Sequence, residues 1–381
     1  MAKNLFLPTS LLVGTIIGAG IFSLPFIFTK AGIGISLAYL AFLTAIAAII
    51  HLMYADIIIR TAEDHHHRFP GYAKMYLGKN IGLFANFVIF SALFLTLTIY
   101  LVLSASFMNL LAPEMPQMAK IILFWSLGSM AVFLTIKKAA VFESATTVIT
   151  VAMVFLIFIF GFFAGPEKLF SLSFAHPAMI FLPFGPILFS LLGEAAIPAC
   201  VVYCRKENLE PKKVKKIITL GTIIPALFYL IFVFGILGLS GNVTEDAVSG
   251  LIGHAPNIIL VALGIMGFVS LWDSYSAIGT EIKKTLEYEW KIPQLTVNSI
   301  IILLPLILYF FGLKNFLELV SLVGGILYGF WGLLVVLTWQ ETVKKHPNEK
   351  TVFKKLNPAI PTLLIFIFIA GIIYHVVYFI N

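Results

Sequence analysis

The chain has 381 residues, of which 60% are apolar and only 11% charged, and its mean hydropathy is +1.02. A water-soluble domain is nearer half apolar and a quarter charged, so an ordinary soluble fold is excluded and most of the chain belongs in a bilayer. The net charge of +7 sits in short loops between apolar runs, where it orients a membrane protein rather than recruiting nucleic acid.

The N-terminus, MAKNLFLP, lacks the basic stretch and small-residue cleavage site of a secretory signal, so the first apolar run is expected to remain as a span. With about 20 residues per crossing, the apolar runs predict an all-α integral membrane protein of eleven transmembrane helices. They fall at 6–29, 33–59, 81–111, 118–136, 142–164, 179–203, 217–239, 256–281, 294–312, 316–339 and 359–380. If the N-terminus is cytoplasmic, every Lys and Arg lies on the inner side except Lys30, Lys120, Lys168 and Lys314. That bias predicts an inner-membrane protein with its N-terminus in and its C-terminus out.

The outer loops 112–117, 164–177 and 240–254 are too short for a ligand-binding ectodomain. The inner loop 60–80 contains His65, His66 and His67, but three adjacent side chains cannot converge on one ion unaided, and the loop reads as solvated. Cys200 and Cys204, four apart in an apolar run, read as packing rather than redox chemistry.

Span 1 carries glycines at 14, 18 and 20 with Pro25 beyond them, and span 6 carries Gly193 and Pro198 around Glu194. Glycine weakens a helix by about 1 kcal/mol and an interior proline removes a backbone hydrogen bond, so both helices are predicted to break near mid-membrane. In lipid, backbone freed by a break is tolerated where it lines a cavity. Interrupted helices five spans apart divide the chain into two halves of opposite orientation, the pattern of an inverted-repeat transporter with its substrate between the breaks. The first repeat would cover 1–164 and the second 165–340, followed by a linker and helix 11 at 341–381.

The stretch 14-GTIIGAGIFSLPF-26 resembles the first-helix signature of the amino acid–polyamine–organocation superfamily, closest to its amino acid/auxin permease and hydroxy/aromatic amino acid permease branches. Motif-level similarity extends to helices 6 and 8. The resemblance implies a LeuT-type 5+5 inverted repeat, with helices 1, 2, 6 and 7 moving against 3, 4, 5, 8, 9 and 10, and helix 11 peripheral. It also implies that Gly18, Ala19 and Gly20 offer backbone amides to a substrate carboxylate. Backbone around Ile17, Leu191, Leu192 and Gly193 would face the ammonium. Glycine matters in this reading because the backbone itself approaches the ligand.

Glu194 departs from the apolar or aromatic residue that relatives place there. A carboxylate near mid-bilayer costs at least about 2.5–3.5 kcal/mol unless paired or protonated. It could pair with the substrate's ammonium or cationic side chain, take up a proton, or bond to the unwound backbone. In 268-FVSLWDSYSAIG-279, Asp273 and Ser274 fall where sodium-coupled relatives carry hydroxyl ligands, with carbonyls of Gly14, Ile17 and Ser270 completing an oxygen cage. Hard cations take such ligands, whereas a desolvated carboxyl could carry a proton instead. The coupling ion is therefore Na⁺ or H⁺. The absence of lysine within span 5 leans toward Na⁺.

Asp56 and Arg60 have helical ion-pair spacing. Glu143 and Glu281, with Lys137, Lys138 or Lys283, are read as interface anchors or an inner gate, and Glu318 as an outer-gate candidate. Tyr100 and Trp272 are pocket or gate aromatics. The functional expectation is a secondary active transporter of a small amino acid, working by alternating access without a cofactor. A cationic amino acid or polyamine carrier, a transporter-like sensor and a passive channel are the alternatives. An enzyme is disfavoured, since no Walker A loop, HExxH motif or GxSxG elbow occurs.

Overall fold

The computed structural model describes residues 3–61, 68–131, 136–165, 172–290, 292–353 and 356–380. The histidines at 65–67, Lys168, and the side chains of Lys137, Lys138 and Glu143 lie outside the described residues. Among the described residues all regular structure is helical.

Span 1 consists of α1 (Lys3–Ile16), a 3₁₀ turn (Ala19–Ser23) and α2 (Leu24–Ala31), bent by 47° at the interruption. Spans 2 and 3 are α3 (Ile33–Arg60) and α5 (Lys79–Leu111), separated by the short α4 (Phe69–Leu77). The sequence reading took the segment around α4 for a loop. Pro70 in its first turn and Gly78 beyond it, at φ 94°, delimit this helix.

Then come α6 (Gln117–Ala131), α7 (Ile136–Ala164), and span 6 as α8 (Phe184–Leu191), a 3₁₀ turn (Glu194–Ala196) and α9 (Ile197–Lys206). Spans 7 to 9 are α10 (Pro211–Leu239), α11 (Asn257–Trp290) and α12 (Gln294–Phe310). Span 10 is divided into α13 (Phe316–Leu322), a π turn (Val323–Leu327) and α14 (Tyr328–Lys345), and α15 (Ala359–Ile380) is span 11.

Every expected span thus meets a helix, although length and apolarity alone qualify seven of them as crossings, and eight with the bent pair. The apolar part of α7, Val148–Ala164, and α12 are shorter. The count of eleven accordingly rests on the sequence pattern.

Large apolar side chains on the perimeter are exposed, among them Phe163 on α7 and Phe366 on α15, as suits helices immersed in lipid. The interior is aromatic, with Tyr54, Tyr229, Tyr275 and Trp331 fully buried. On the side of the bundle where Arg60 lies, Asp56 is wholly buried and accepts four hydrogen bonds. They come from Arg60 Nε (2.9 Å), Trp339 Nε1 (2.9 Å), Thr351 Oγ1 (2.7 Å) and the Val352 amide (2.9 Å). The expected i,i+4 pair therefore also fastens the linker before α15 to spans 2 and 10.

Candidate functional site

Both predicted breaks are present and share one construction. After α1, Gly18 is extended (φ −124°, ψ −152°), and after α8, Leu192 is extended (φ −88°, ψ 130°) ahead of the non-helical Gly193. The prolines open the helices that resume: Pro25 lies in the first turn of α2 and Pro198 in that of α9, where a missing N–H costs nothing.

Packing gives Gly20 and Gly193 a further reason to be glycine. Neither Gly18 nor Gly193 has a positive φ. A Cβ on Gly20 would lie 2.5 Å from Ser190 Oγ and 2.6 Å from Ser190 Cα, and one on Gly193 would collide with the Ile16 side chain. Each break is seated directly on the other helix, so close approach of span 1 to span 6 is what demands glycine here.

Side chains from neighbouring spans take up part of the freed backbone. The Tyr229 hydroxyl of α10 is directed at the carbonyl of Ile16 (2.8 Å) and at that of Ser190, thereby bridging the ends of α1 and α8. His51 Nε2 of α3 accepts from the Gly193 amide at 3.2 Å. The Gly18 amide donates to the Ile16 carbonyl at 2.9 Å. The amides of Ala19 and Gly20 open the 3₁₀ turn, where a helix has no carbonyl one turn earlier to offer.

Gly18, Ala19, Gly20, Leu192, Gly193, Glu194 and Tyr100 line one cavity of about 40 Å³, with Thr96, Phe189, Ile278 and Tyr328 among its other walls. That is room for about three waters. Leu191, expected here, is fully buried and lines neither this cavity nor the one described next. Glu194, Tyr328 and Thr96 face one another across this cavity as three of its polar walls. Tyr328 directly follows the π turn of span 10, a distortion frequent at functional sites. Nothing in 321-SLVGGILYGF-330 except its paired glycines signals that turn.

Gly14, Ile17, Ser270, Asp273 and Ser274 line a second cavity of about 20 Å³ together with Thr146, Thr150 and Val151 of α7. Thr146 Oγ1 donates to Asp273 Oδ2, and the hydroxyls of Thr150 and Ser270 are 2.7 Å apart. The sequence reading missed both threonines. Their only signal was two hydroxyls one helical turn apart in an apolar run. The polar side chains of this cavity present oxygen alone, a set that suits a hard monovalent cation. The two cavities meet through the chain itself, since Ile17 lines one and Gly18 the other.

Glu194 and Ala195 also belong to a third cavity, of about 30 Å³, closed by an ion pair between Arg68 and Glu281 at 3.0 Å. Among the described side chains the ion-pair partner of Glu281 is thus Arg68 and not Lys283, while Lys137 and Lys138 lie outside them. Arg68 precedes α4, and the folding of the loop into that helix brings it across to span 8, whereas Lys283 is only two residues along and faces elsewhere on the same helix. Trp272 is likewise turned away from the cavities and donates to the Leu127 carbonyl of α6 at 2.8 Å. The Glu318 amide is capped by Asn315 at 3.0 Å. Cys200 and Cys204 are buried free thiols.

Compared by sequence with individually characterised proteins, the chain matches none. Among solved structures it is similar to the inward-facing conformation of Mhp1, with a TM-score of 0.64 at 12% identity over 88% of this chain and 75% of that one. At that identity the likeness speaks for the fold, which is the LeuT-type arrangement implied by the interrupted first and sixth helices. The sequence model of the tryptophan/tyrosine permease family matches residues 1–377, so this multi-pass membrane protein belongs to the tryptophan/tyrosine permease family.

Proposed function

We propose that the chain is a secondary active transporter that carries an aromatic amino acid across the cytoplasmic membrane by alternating access. The family's description supports narrowing the substrate from a small amino acid to an aromatic one, and the tyrosine and phenylalanine walls of the larger cavity suit a ring. The observation that carries the proposal is the juxtaposition of two polar cavities at one helix break, with Ile17 in one and Gly18 in the next.

In this reading the amides of Ala19 and Gly20 receive the substrate carboxylate, because the start of a helix offers unpaired donors and a favourable dipole. Glu194 faces the ammonium. The second cavity takes the coupling ion, Na⁺ in preference to H⁺, on Asp273, Ser270 and Ser274 with the carbonyls of Gly14 and Ile17. Thr146 and Thr150 complete the wall. A cation there and a carboxylate beside Gly18 order the same few residues of span 1. Each ligand therefore lowers the cost of binding the other, which is what coupling requires.

The main cavity holds about three waters, so an aromatic amino acid enters only when its walls part. The Arg68–Glu281 pair is suited to act as the inner gate, opening as helices 1, 2, 6 and 7 of the two inverted repeats move against the rest. Basic-residue placement supports an N-terminus inside and a C-terminus outside.

The test is uptake by proteoliposomes of a labelled amino acid panel under separately imposed Na⁺ and H⁺ gradients. Saturable, gradient-driven uptake of tryptophan or tyrosine is expected. Glu194→Gln should abolish uptake or change its selectivity while the protein still inserts. Unitary currents without counterflow, or binding without exchange, would overturn the proposal in favour of a channel or a sensor.

A further inference from the structure

His51 takes no part in the sequence reading and lines none of the three cavities, yet it is wholly buried at the centre of span 2 and both ring nitrogens are engaged. Nδ1 lies 2.9 Å from Thr222 Oγ1 of α10, and Nε2 lies 3.2 Å from the Gly193 amide at the span 6 break. The roles of these atoms can be worked out. A backbone N–H can only donate, so the Gly193 amide requires a bare Nε2 and puts the imidazole proton on Nδ1. The Thr222 oxygen then accepts that proton, and the threonine's own proton is left for the Ile218 carbonyl at 2.9 Å.

We propose that His51 is a positioning residue for transport. Held in its Nδ1–H tautomer by Thr222, it captures the Gly193 amide and so fixes the non-helical turn that directs the next residue, Glu194, into the substrate cavity. The inference rests on the transport reading above and adds the device that sets its recognition geometry. In an isolated break the Gly193 amide would lack an acceptor, and an unsatisfied buried donor is costly enough to move the turn. Tyr229 serves the opposite polarity, its single hydroxyl proton shared between the carbonyls of Ile16 and Ser190. Spans 2 and 7 thereby hold both polarities of the interruption, which leaves fewer orientations open to the carboxylate.

The helices packed against span 2 carry the titratable side chains Glu194 and Cys200 (span 6), Tyr229 (span 7) and Tyr328 (span 10). Among the hydrogen bonds of the described residues, the ring is served by Thr222 and Gly193 and by none of these four. A ring used only as filler would be indifferent to which nitrogen carries the proton. A positioning ring is not, because the other tautomer sets an N–H against the N–H of Gly193.

The discriminating variant is Thr222→Val. It is close to isosteric and lies outside the cavities, but it removes the oxygen that holds the proton on Nδ1. The first measurement is ¹⁵N NMR of the full chain labelled at histidine, with the His51 signal assigned by its loss in His51→Gln. The Nδ1–H tautomer is expected in the wild type, and Thr222→Val, which leaves that proton without an acceptor, should weaken the preference for it. The second is tryptophan and tyrosine uptake by proteoliposomes at matched amounts of folded protein.

Thr222→Val should raise the half-saturating concentration at least about fivefold, the effect of one lost buried hydrogen bond. His51→Gln keeps a carbonyl for Gly193 and should retain more uptake than His51→Leu. An Nε2–H tautomer in the wild type overturns the proposal whether or not the chain transports. So does wild-type affinity in Thr222→Val, or uptake by His51→Leu equal to that by His51→Gln. Absence of uptake of every amino acid by the wild type would instead count against the transport reading, with the tautomer still decided by NMR.

Discussion

Replacing Gly20 by alanine tests the physical core of the site, the contact between the two interrupted helices. The new methyl would stand 2.5 Å from Ser190 Oγ, 2.6 Å from Ser190 Cα and 2.9 Å from Ser190 Cβ. Carbon atoms rest about 3.5–4.0 Å apart, so spans 1 and 6 must separate by roughly an ångström. Trimming Ser190 cannot relieve the clash, because its Cα is part of it. Overpacking of this kind costs about 1–3 kcal/mol. If the strain falls on the conformer with the breaks in contact, uptake should drop by about 5- to 150-fold.

Gly18→Ala is the internal control. Its added Cβ would meet only the Tyr100 hydroxyl, at 3.4 Å, and its backbone has a negative φ open to any residue. Uptake of tryptophan and tyrosine by proteoliposomes, with folded protein quantified by size exclusion and thermal unfolding, separates the two variants. Equal thermal stability of Gly18→Ala and Gly20→Ala, or wild-type uptake and stability in Gly20→Ala, would refute helix-to-helix contact as the reason for glycine at position 20; stability is the deciding readout for Gly18, which itself lines the substrate cavity.

Asp56→Ala strips four donors of their acceptor and leaves the Arg60 charge buried, which should destabilise the protein by about 3–5 kcal/mol. Thermal unfolding in detergent measures this, and a loss below about 1 kcal/mol would mean that the pair behaves like an exposed one. Asp273→Ala should abolish the response of uptake to an imposed Na⁺ gradient, and Thr146→Val should weaken it; wild-type uptake driven by outside acid and indifferent to Na⁺ would reverse the ion assignment. In the loop between spans 7 and 8, burial raises the carboxyl of Glu245 above its ordinary value, with Glu318 and Asp246 adding to the effect and Lys30 opposing it. The folded chain therefore holds this proton more tightly than the unfolded one, and the associated stability is present below the ordinary value and lost as pH rises through the higher folded one. Glu245→Gln should consequently gain stability relative to the wild type across that window, as followed by unfolding midpoints at several pH values, and a constant difference would show that the group does not titrate differently in the two states.

The sequence by itself determined the membrane class, the positions of the spans and the two interruptions. Hydrophobic run length and the placement of Gly, Pro and charge act locally, and lipid leaves the backbone few alternatives to helix. Gly14, Ile17, Ser270, Asp273 and Ser274 could be grouped from the resemblance of spans 1 and 8 to related carriers, and the fold brings all five to one cavity. Only the tertiary structure decided what the breaks rest on. Ser190 beneath Gly20, His51 on the Gly193 amide, Tyr229 between two helix ends, Thr146 on Asp273 and Arg68 on Glu281 are all encounters between distant segments. No periodicity records them, because each depends on how whole helices cross. The π turn before Tyr328 was hidden for a related reason: one extra residue in a helical turn leaves an apolar stretch apolar, and its effect emerges only when Tyr328 is seen to line the cavity that holds Glu194.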